Sequence, residues 1–388
     1  MTTAYTIRTY TSAAVLTHVL TDFLGLVYSR RVAEVGMCQF TLNGDHSAVA
    51  DLDPDADPTI EVLRRDSLAS TAWRVEFAGK IRQRDQYTDA NGLPLCTLSA
   101  VDGIGLLALA TVAYPAQTAG RNTWTSTPAE TVAKQIVTYN LTSAGTLVDG
   151  RKTAVTITNI SVEADAAGGS TITYSCAWQN VLAALRSVAA IGNGDFDMIR
   201  TAPGAWQFRW YSAQRGVDRS ASVVFALNYG NMAQPRLVQN HLNEATVAIV
   251  GGQGEESSRT VVTVTGPNYR PATNAAEIFV NASHVSSTVE LTAIGQARLS
   301  DLRAVQDLDF DAIQTPGCRY ADDYDLGDLV TARYKNYSAI KQITGVTVEL
   351  TGDGAERIAI DTSTVATIYH IAMTDSVTVA ESGARSIV

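Results

Sequence analysis

The chain has 388 residues, 46% of them hydrophobic and 18% charged, with 39 acidic against 29 basic side chains and a formal net charge of −10. That length suits two or three domains with cores of their own, and the charged share lies below the ~25% usual for globular proteins. An acidic balance excludes nucleic-acid binding by phosphate neutralisation, which needs a concentrated Lys/Arg surface.

Residues 1 to about 105 read as short strands between turn signals, with strands expected at Tyr5–Tyr10, Phe23–Tyr28 and Gly36–Leu42. The run Asp51-Leu52-Asp53-Pro54-Asp55-Ala56-Asp57-Pro58 offers several oxygens to a cation. It lacks the glycine and terminal glutamate of a standard calcium loop and reads as a solvated loop. A strand pattern follows through Thr59–Val62, Trp73–Ile81 and Cys96–Asp102, with Phe77 two places before the mid-strand Gly79. Asn91-Gly92 is a hairpin-turn dipeptide. A glycine inside a strand marks a bulge or sharp bend, so the unit is expected to curl towards a barrel.

Residues 106–240 change character and are expected to form an inserted α+β region. Thr127, Pro128 and Glu130 form a capping-box pattern that predicts a helix through Ile136 and Val137. A second helix is expected over Ala177–Ala190, whose apolar stripe is Trp178, Val181, Leu182, Leu185, Val188 and Ala189, with Gly192 as the stop. In Ala205–Tyr211, Trp206, Phe208 and Trp210 share one strand face. Such a stripe serves as a core or interface face, or as a platform for sugars.

Residues 241–362 return to strands. Gly251-Gly252-Gln253-Gly254 contains a GxG, but strand-like segments flank it on both sides, so it reads as a β-to-β loop and not a phosphate cradle. A third helix is expected from Thr288 to about Val305, with Ser287 and Glu290 as capping box and Leu291, Ile294, Leu299 and Leu302 inward. Asp307, Asp309 and Asp311 alternate with Leu308 and Phe310. That places three carboxylates on one strand face, either a solvent or lumen face or a glycosidase-like pair.

The earlier strand pattern then recurs through Asp328–Thr331, Ile340–Val348 and Glu356–Asp361, with Ile343 two places before Gly345 and Gly352-Asp353-Gly354 as the turn. Two small β-barrels, in 1–105 and 241–362, are thus expected to flank the insertion, giving a mainly β chain. Residues 363–388 are expected to be a strand-rich extension, an arm suited to a neighbouring subunit.

The chemistry-bearing motifs GxSxG, GxxxxGK[ST], HExxH and the EF-hand pattern do not occur. His18, His46, His241, His284 and His370 are scattered, and Cys38, Cys96, Cys176 and Cys318 form no CxxC pair, so buried free thiols are expected. Hence no catalytic, cofactor-binding or metal-binding residue is assigned, and no cofactor. Met1–Thr6 lacks the regions of a signal peptide, and no run of ~20 apolar residues occurs, so a soluble product of a cytosol without a membrane span is expected.

Tyr324-Asp325-Leu326-Gly327-Asp328-Leu329-Val330, a Gly-Asp turn entering a strand, resembles a recurrent element of the tail hub or baseplate hub proteins of long-tailed bacteriophages. Gly251–Glu255 followed by Arg259 is similar to a second such element. The resemblance, to a set that includes the siphovirus Gp37-like group, covers roughly residues 1 to 362. It implies a structural, non-enzymatic virion protein with two tail-tube-like barrels per chain and a homotrimer forming a pseudo-six-fold ring. Such a ring sits at the tail tip and joins the tail tube, the distal tail protein, the tape-measure protein and tip or fibre proteins. DNA passes through its lumen without specific binding, which an acidic surface favours. Many relatives continue into peptidoglycan-degrading or receptor-binding regions, so those activities are expected on another polypeptide. The alternative is a carbohydrate-binding or cell-wall-polysaccharide-degrading tail protein, resting on the Trp206/Phe208/Trp210 stripe and the Asp307/Asp309/Asp311 face.

Overall fold

Alternating burial shows why the first hundred residues make strands. Leu26 and Tyr28, then Cys38, Phe40 and Leu42, then Cys96, Leu98 and Ala100 are each buried every second residue, the period of a sheet with one face on a core. The computed structural model describes residues 3–66, 72–113, 122–142, 159–283, 285–351 and 354–369. These strands are β1 (Ala4–Tyr10), β2 (Leu16–Leu20), β3 (Gly25–Arg31), β4 (Met37–Asn43), β5 (Thr59–Arg65), β6 (Arg74–Thr88) and β7 (Pro94–Asp102). Short helices α1 (Ala48–Asp51) and α2 (Ile104–Leu107) lie between β4 and β5 and after β7. The β6–β7 hairpin turns at the expected Asn91-Gly92, where Gly92 has φ +84° and donates to the Asp89 carbonyl at 3.0 Å.

The middle of the chain carries β8 (Asn122–Pro128), α3 (Ala129–Leu141), β9 (Ile160–Val162), β10 (Thr171–Cys176), α4 (Val181–Gly192), β11 (Gly194–Ala202), β12 (Ala205–Ser212) and β13 (Val224–Ala226). Both predicted helices are present, with different ends. Thr127 does not cap α3: it lies in β8 and its hydroxyl donates to the Thr125 carbonyl, while Pro128 is the N-cap residue. Glu130 does not reach back either, because it accepts from the Gly168 and Ala166 amides and from Lys134. The second helix starts at Val181, with Asn180 accepting from the Ala183 amide. Trp178 stands outside it at φ +56°. Asn193 in the left-handed region, not Gly192, ends that helix.

A second compact unit spans residues 234–310, the first comprising 1–233 and 311–388. The chain passes between the units along β14 (Met232–Asn240) and β18 (Val305–Ala312), which pair with each other. Within the second unit β15 (Val247–Gly251) pairs antiparallel with β16 (Val261–Thr265) and parallel with β17 (Glu277–Asn281), and α5 (Thr288–Asp301) covers one face. Ala248, Val250, Val264, Leu291 and Leu299 form its core. Ser287 caps α5 by accepting from the Glu290 amide, as expected, but the helix ends at Asp301, and Val305 already lies in β18.

The chain ends its described course with β19 (Leu329–Tyr334), β20 (Tyr337–Leu350) and β21 (Glu356–Tyr369). These strands carry the second copy of the repeated pattern, and they join the first copy in a single eleven-stranded sheet. Its order is β13-β19-β20-β3-β4-β7-β6-β5-β1-β2, with β21 on β20. The junction pairs Gly345–Leu350 with Arg31–Leu26. Among the described residues no pairing closes this sheet into a barrel. Gly345 sits where the β20–β21 register shifts, so the predicted irregularity is there, and a Cβ on it would meet the Asp361 carboxylate at 2.6 Å. At Gly79, β6 hands over from β5 to β7, and a Cβ would fall 2.4 Å from the Val101 carbonyl oxygen. β21 runs past residue 362 to Tyr369, so the predicted extension begins inside a strand; residues 370–388, His284 and His370 lie outside the described residues.

Candidate functional site

The charged residues that interrupt the apolar runs of β3, β5 and β6 converge with residues of the second copy. Arg30 on β3 donates to the Tyr320 hydroxyl at 2.7 Å and to Asp325 at 3.0 Å, and lies 3.4 Å from Glu76. Tyr320 in turn donates to Glu76 at 2.7 Å. Arg74 donates to Asp325 and to the Ala321 carbonyl, and pairs with the second Glu76 oxygen at 3.1 Å. On the neighbouring strand Arg64 grips Glu356 through two bonds of 2.7 and 3.0 Å, a fork geometry that a guanidinium supplies and an ammonium does not. Tyr5 donates to the same carboxylate.

Electrostatics follow from this burial. Desolvation would push the Asp325 carboxyl up, but Arg30 and Arg74 outweigh it and hold the group down at about 2. Tyr320 is driven far above its ordinary range by burial first, and by Glu76 and Asp325 against the opposing Arg30. Asp325 therefore stays ionised and Tyr320 keeps its proton to donate across neutral pH. A charge pair this well buried costs desolvation, and losing one partner leaves the other stranded. Its role is to fix geometry.

Beside the seam, the Tyr324–Val330 element makes its turn. Gly327 (φ +92°) and Gly216 (φ +94°) stand back to back, so that a Cβ on Gly216 would lie 2.3 Å from the Gly327 carbonyl carbon. Only glycine fits such a crossing without strain. The Asp328 carboxylate, 4% exposed, accepts from the Val217 amide at 2.7 Å, the Asp325 amide at 3.0 Å and Arg219 at 2.9 Å. The element is thus a latch for the loop that follows β12.

The insertion is tied to the sheet by Arg200, which donates to the buried Glu61 on β5; Tyr10 donates to its other oxygen at 2.9 Å. This contact explains why β5 is buried on both faces. Between sheet and insertion lies a cavity of about 250 Å³, with Arg31, Glu76, Asp102, Asp197 and Arg215 among its walls. Burial pushes the Asp102 carboxyl up to about 7, helped by nearby Asp197 and opposed by amide donors at Gly36 and Gly105.

The residues singled out from sequence lie elsewhere. Trp206, Phe208 and Trp210 are buried in the core of the insertion with Phe196 and α3 and α4, so the stripe is core and presents no sugar platform. On β18 Leu308 and Phe310 are inward and Asp309 and Asp311 exposed, as the alternation required, while Asp307 is half-buried. In the acidic loop Asp51, Asp53 and Asp57 each meet a different basic side chain: Asp51 with His18 at 2.7 Å, Asp53 with Arg84 at 2.7 Å and Asp57 with Lys80 at 2.6 Å. His46 faces Asp22 and His241 pairs with Glu244, both on the surface. Gly251–Gly254 is a β-to-β loop, filled by the Arg259 guanidinium, which donates to the Gly251 and Gly252 carbonyls. All four cysteines are free and buried. Among the described residues no group of three or more His, Cys, Asp or Glu converges as a metal site would, and no helix is long and apolar enough to cross a membrane.

Sequence reasoning missed the ionic seam, because Glu76 beside the inward Phe77 and Arg64 after the buried Leu63 read by alternation as solvent-facing positions. By its family the chain is a phage tail or baseplate type of structural protein. Residues 6–361 match the family described as Siphovirus ReqiPepy6 Gp37-like protein, and the chain belongs to that family.

Solved structures share the fold at low identity. The 43 kDa tail protein of prophage MuSo2 from Shewanella oneidensis superposes with a TM-score of 0.56 at 10% identity, over 92% of this chain and 98% of the other. A tail protein from Neisseria meningitidis MC58 gives 0.53 at 12%, over 92% and 97%. A chain of the lidded Francisella PdpA-VgrG complex gives 0.55 at 8%, over 96% of this chain and 54% of its own length. No curated protein matches by sequence.

Proposed function

We propose that this protein is a hub of the phage tail tip: a homotrimer whose two copies of the strand pattern form the six walls of a pseudo-six-fold ring, with a central channel for DNA. The observation that carries this reading is the junction of β3 with β20, which sets both copies in one sheet at a fixed spacing. Three chains then offer a six-fold tube six similar walls. Ion pairs also tie β3 to Asp325 and β5 to Glu356 on β21, linking the two copies.

Placed there, the hub joins the tail tube to the tip. Its partners are the tube protein, the distal tail protein, the tape-measure protein and tip or fibre proteins, and it performs no catalysis. The carbohydrate reading loses its main support, because Trp206, Phe208 and Trp210 are core residues.

Light scattering and negative-stain microscopy of the purified chain, alone and with tube protein, test the proposal. A mass of three chains and a ring with six lobes are expected. A stable monomer that forms no ring beside tube protein overturns it.

A further inference from the structure

The larger unit holds a second cavity, of about 460 Å³, walled by β5, β6, α2 and the β11–β12 turn. Lys80 and Arg82 of β6 line it, both reaching the Asp57 carboxylate, together with Thr59, the register partner of Lys80. Leu106, Leu109 and Trp206 supply apolar wall. The turn that overhangs Thr59 is made by Gly204 at φ +68°.

Two features mark this as a place for a ligand. Among the described residues the Thr59 hydroxyl has no hydrogen-bond partner, although the residue is only 4% exposed, and a buried unsatisfied hydroxyl is costly. The charge is also unbalanced. Among the described residues of the wall Asp57 is the one carboxylate, and it is engaged by Lys80 at 2.6 Å, while Arg82 stands 3.9 Å from its other oxygen. A guanidinium, an ammonium and a hydroxyl reaching one corner from two strands suit a tetrahedral oxyanion, with Arg82 free to turn from Asp57 and meet it. The volume exceeds that of one such anion and lies in the range of small-molecule sites.

We propose that this cavity binds a small organic phosphate, its phosphoryl group at Thr59, Lys80 and Arg82 and its carbon portion along Leu106 and Leu109. The site is independent of the ring and of the seam, so it stands or falls apart from the hub assignment.

Isothermal titration of the full-length protein with sn-glycerol 3-phosphate and with inorganic phosphate, at constant ionic strength, tests the proposal. Saturable binding of both is expected, tighter for the ester because only it reaches the leucines. Arg82→Gln and Thr59→Val should each weaken the ester by about tenfold, the loss of one charge-assisted bond. Thr59→Val also removes the unsatisfied hydroxyl, so without ligand its melting temperature should be at or above that of the parent, which separates lost binding from lost folding. Inorganic phosphate binding as tightly as the ester, binding unchanged in both variants, or no saturation with either probe overturns the proposal.

Discussion

Arg64 and Glu356, 292 positions apart, meet through two hydrogen bonds of 2.7 and 3.0 Å and fasten the fifth strand of the chain to its last described one. Arg64 is nearly buried and Tyr5 bonds both partners. Glu356→Ala should therefore destabilise the protein by about 3–5 kcal/mol, since it strands a buried guanidinium. The double variant Arg64→Met/Glu356→Leu should recover more than half of that loss. Urea melts of the three proteins give both values.

Gly327→Ala and Gly354→Ala form a matched pair. Both glycines have positive φ, but a Cβ at Gly327 would lie 2.4 Å from the Arg215 carbonyl oxygen, whereas nothing lies within 4 Å at Gly354. The second substitution should cost about 1 kcal/mol and the first about 3 kcal/mol or more, because the latch must open to admit the methyl. Thermal melts at one protein concentration will separate them.

Two carboxylates give the stability curve slopes of opposite sign. Asp325, held down at about 2, contributes stability that is complete above the ordinary carboxylate range and is lost as pH falls through about 2. Asp102, pushed up to about 7, keeps its proton in the fold after the unfolded chain has released it. Its contribution is present below about pH 4 and is lost as pH rises through about 7. Wild type should lose on the order of 2–4 kcal/mol from Asp102 between pH 4 and 8. Asp102→Asn, which keeps an acceptor for the Gly36 amide, should flatten that part of the curve. Chemical denaturation at five pH values reads the difference.

Trp206→Ala should cost about 3–5 kcal/mol by opening a cavity in the core of the insertion. Its indole packs against Gly103, where a Cβ would come within 2.3 Å of the ring. Gly103→Ala should then destabilise comparably, and Trp206→Ala/Gly103→Ala by less than the sum. A double-mutant cycle from urea melts measures that coupling.

Local signals in the sequence were legible where local physics decided the outcome. Asn91-Gly92 made its hairpin and Ser287 capped its helix, because both devices act within a few residues. The failures share a cause. Thr127, Pro128 and Glu130 spell a capping box, yet Glu130 is claimed by amides more than thirty residues away. Trp178 fits the helical stripe by spacing, but a left-handed backbone puts it before the helix. The repeated pattern was visible, whereas its merger into one sheet depends on pairing Tyr28 with Val348, a register that alternation alone does not specify. The seam residues were likewise hidden, since Arg30 finds Asp325 only after that pairing has formed.

Strand β20 borders β21 along almost its whole length, and on its other edge meets β19 over its first half and β3 over its second. A load pulling the two ends of such a strand apart is carried by many hydrogen bonds side by side in shear, instead of one at a time as in an unzipping hairpin. Tension arriving through β21 would pass across β20 into the first-copy strands without crossing a loop. Among the described strands β20 is thus the one through which such a load would run from β21 to the first-copy strands.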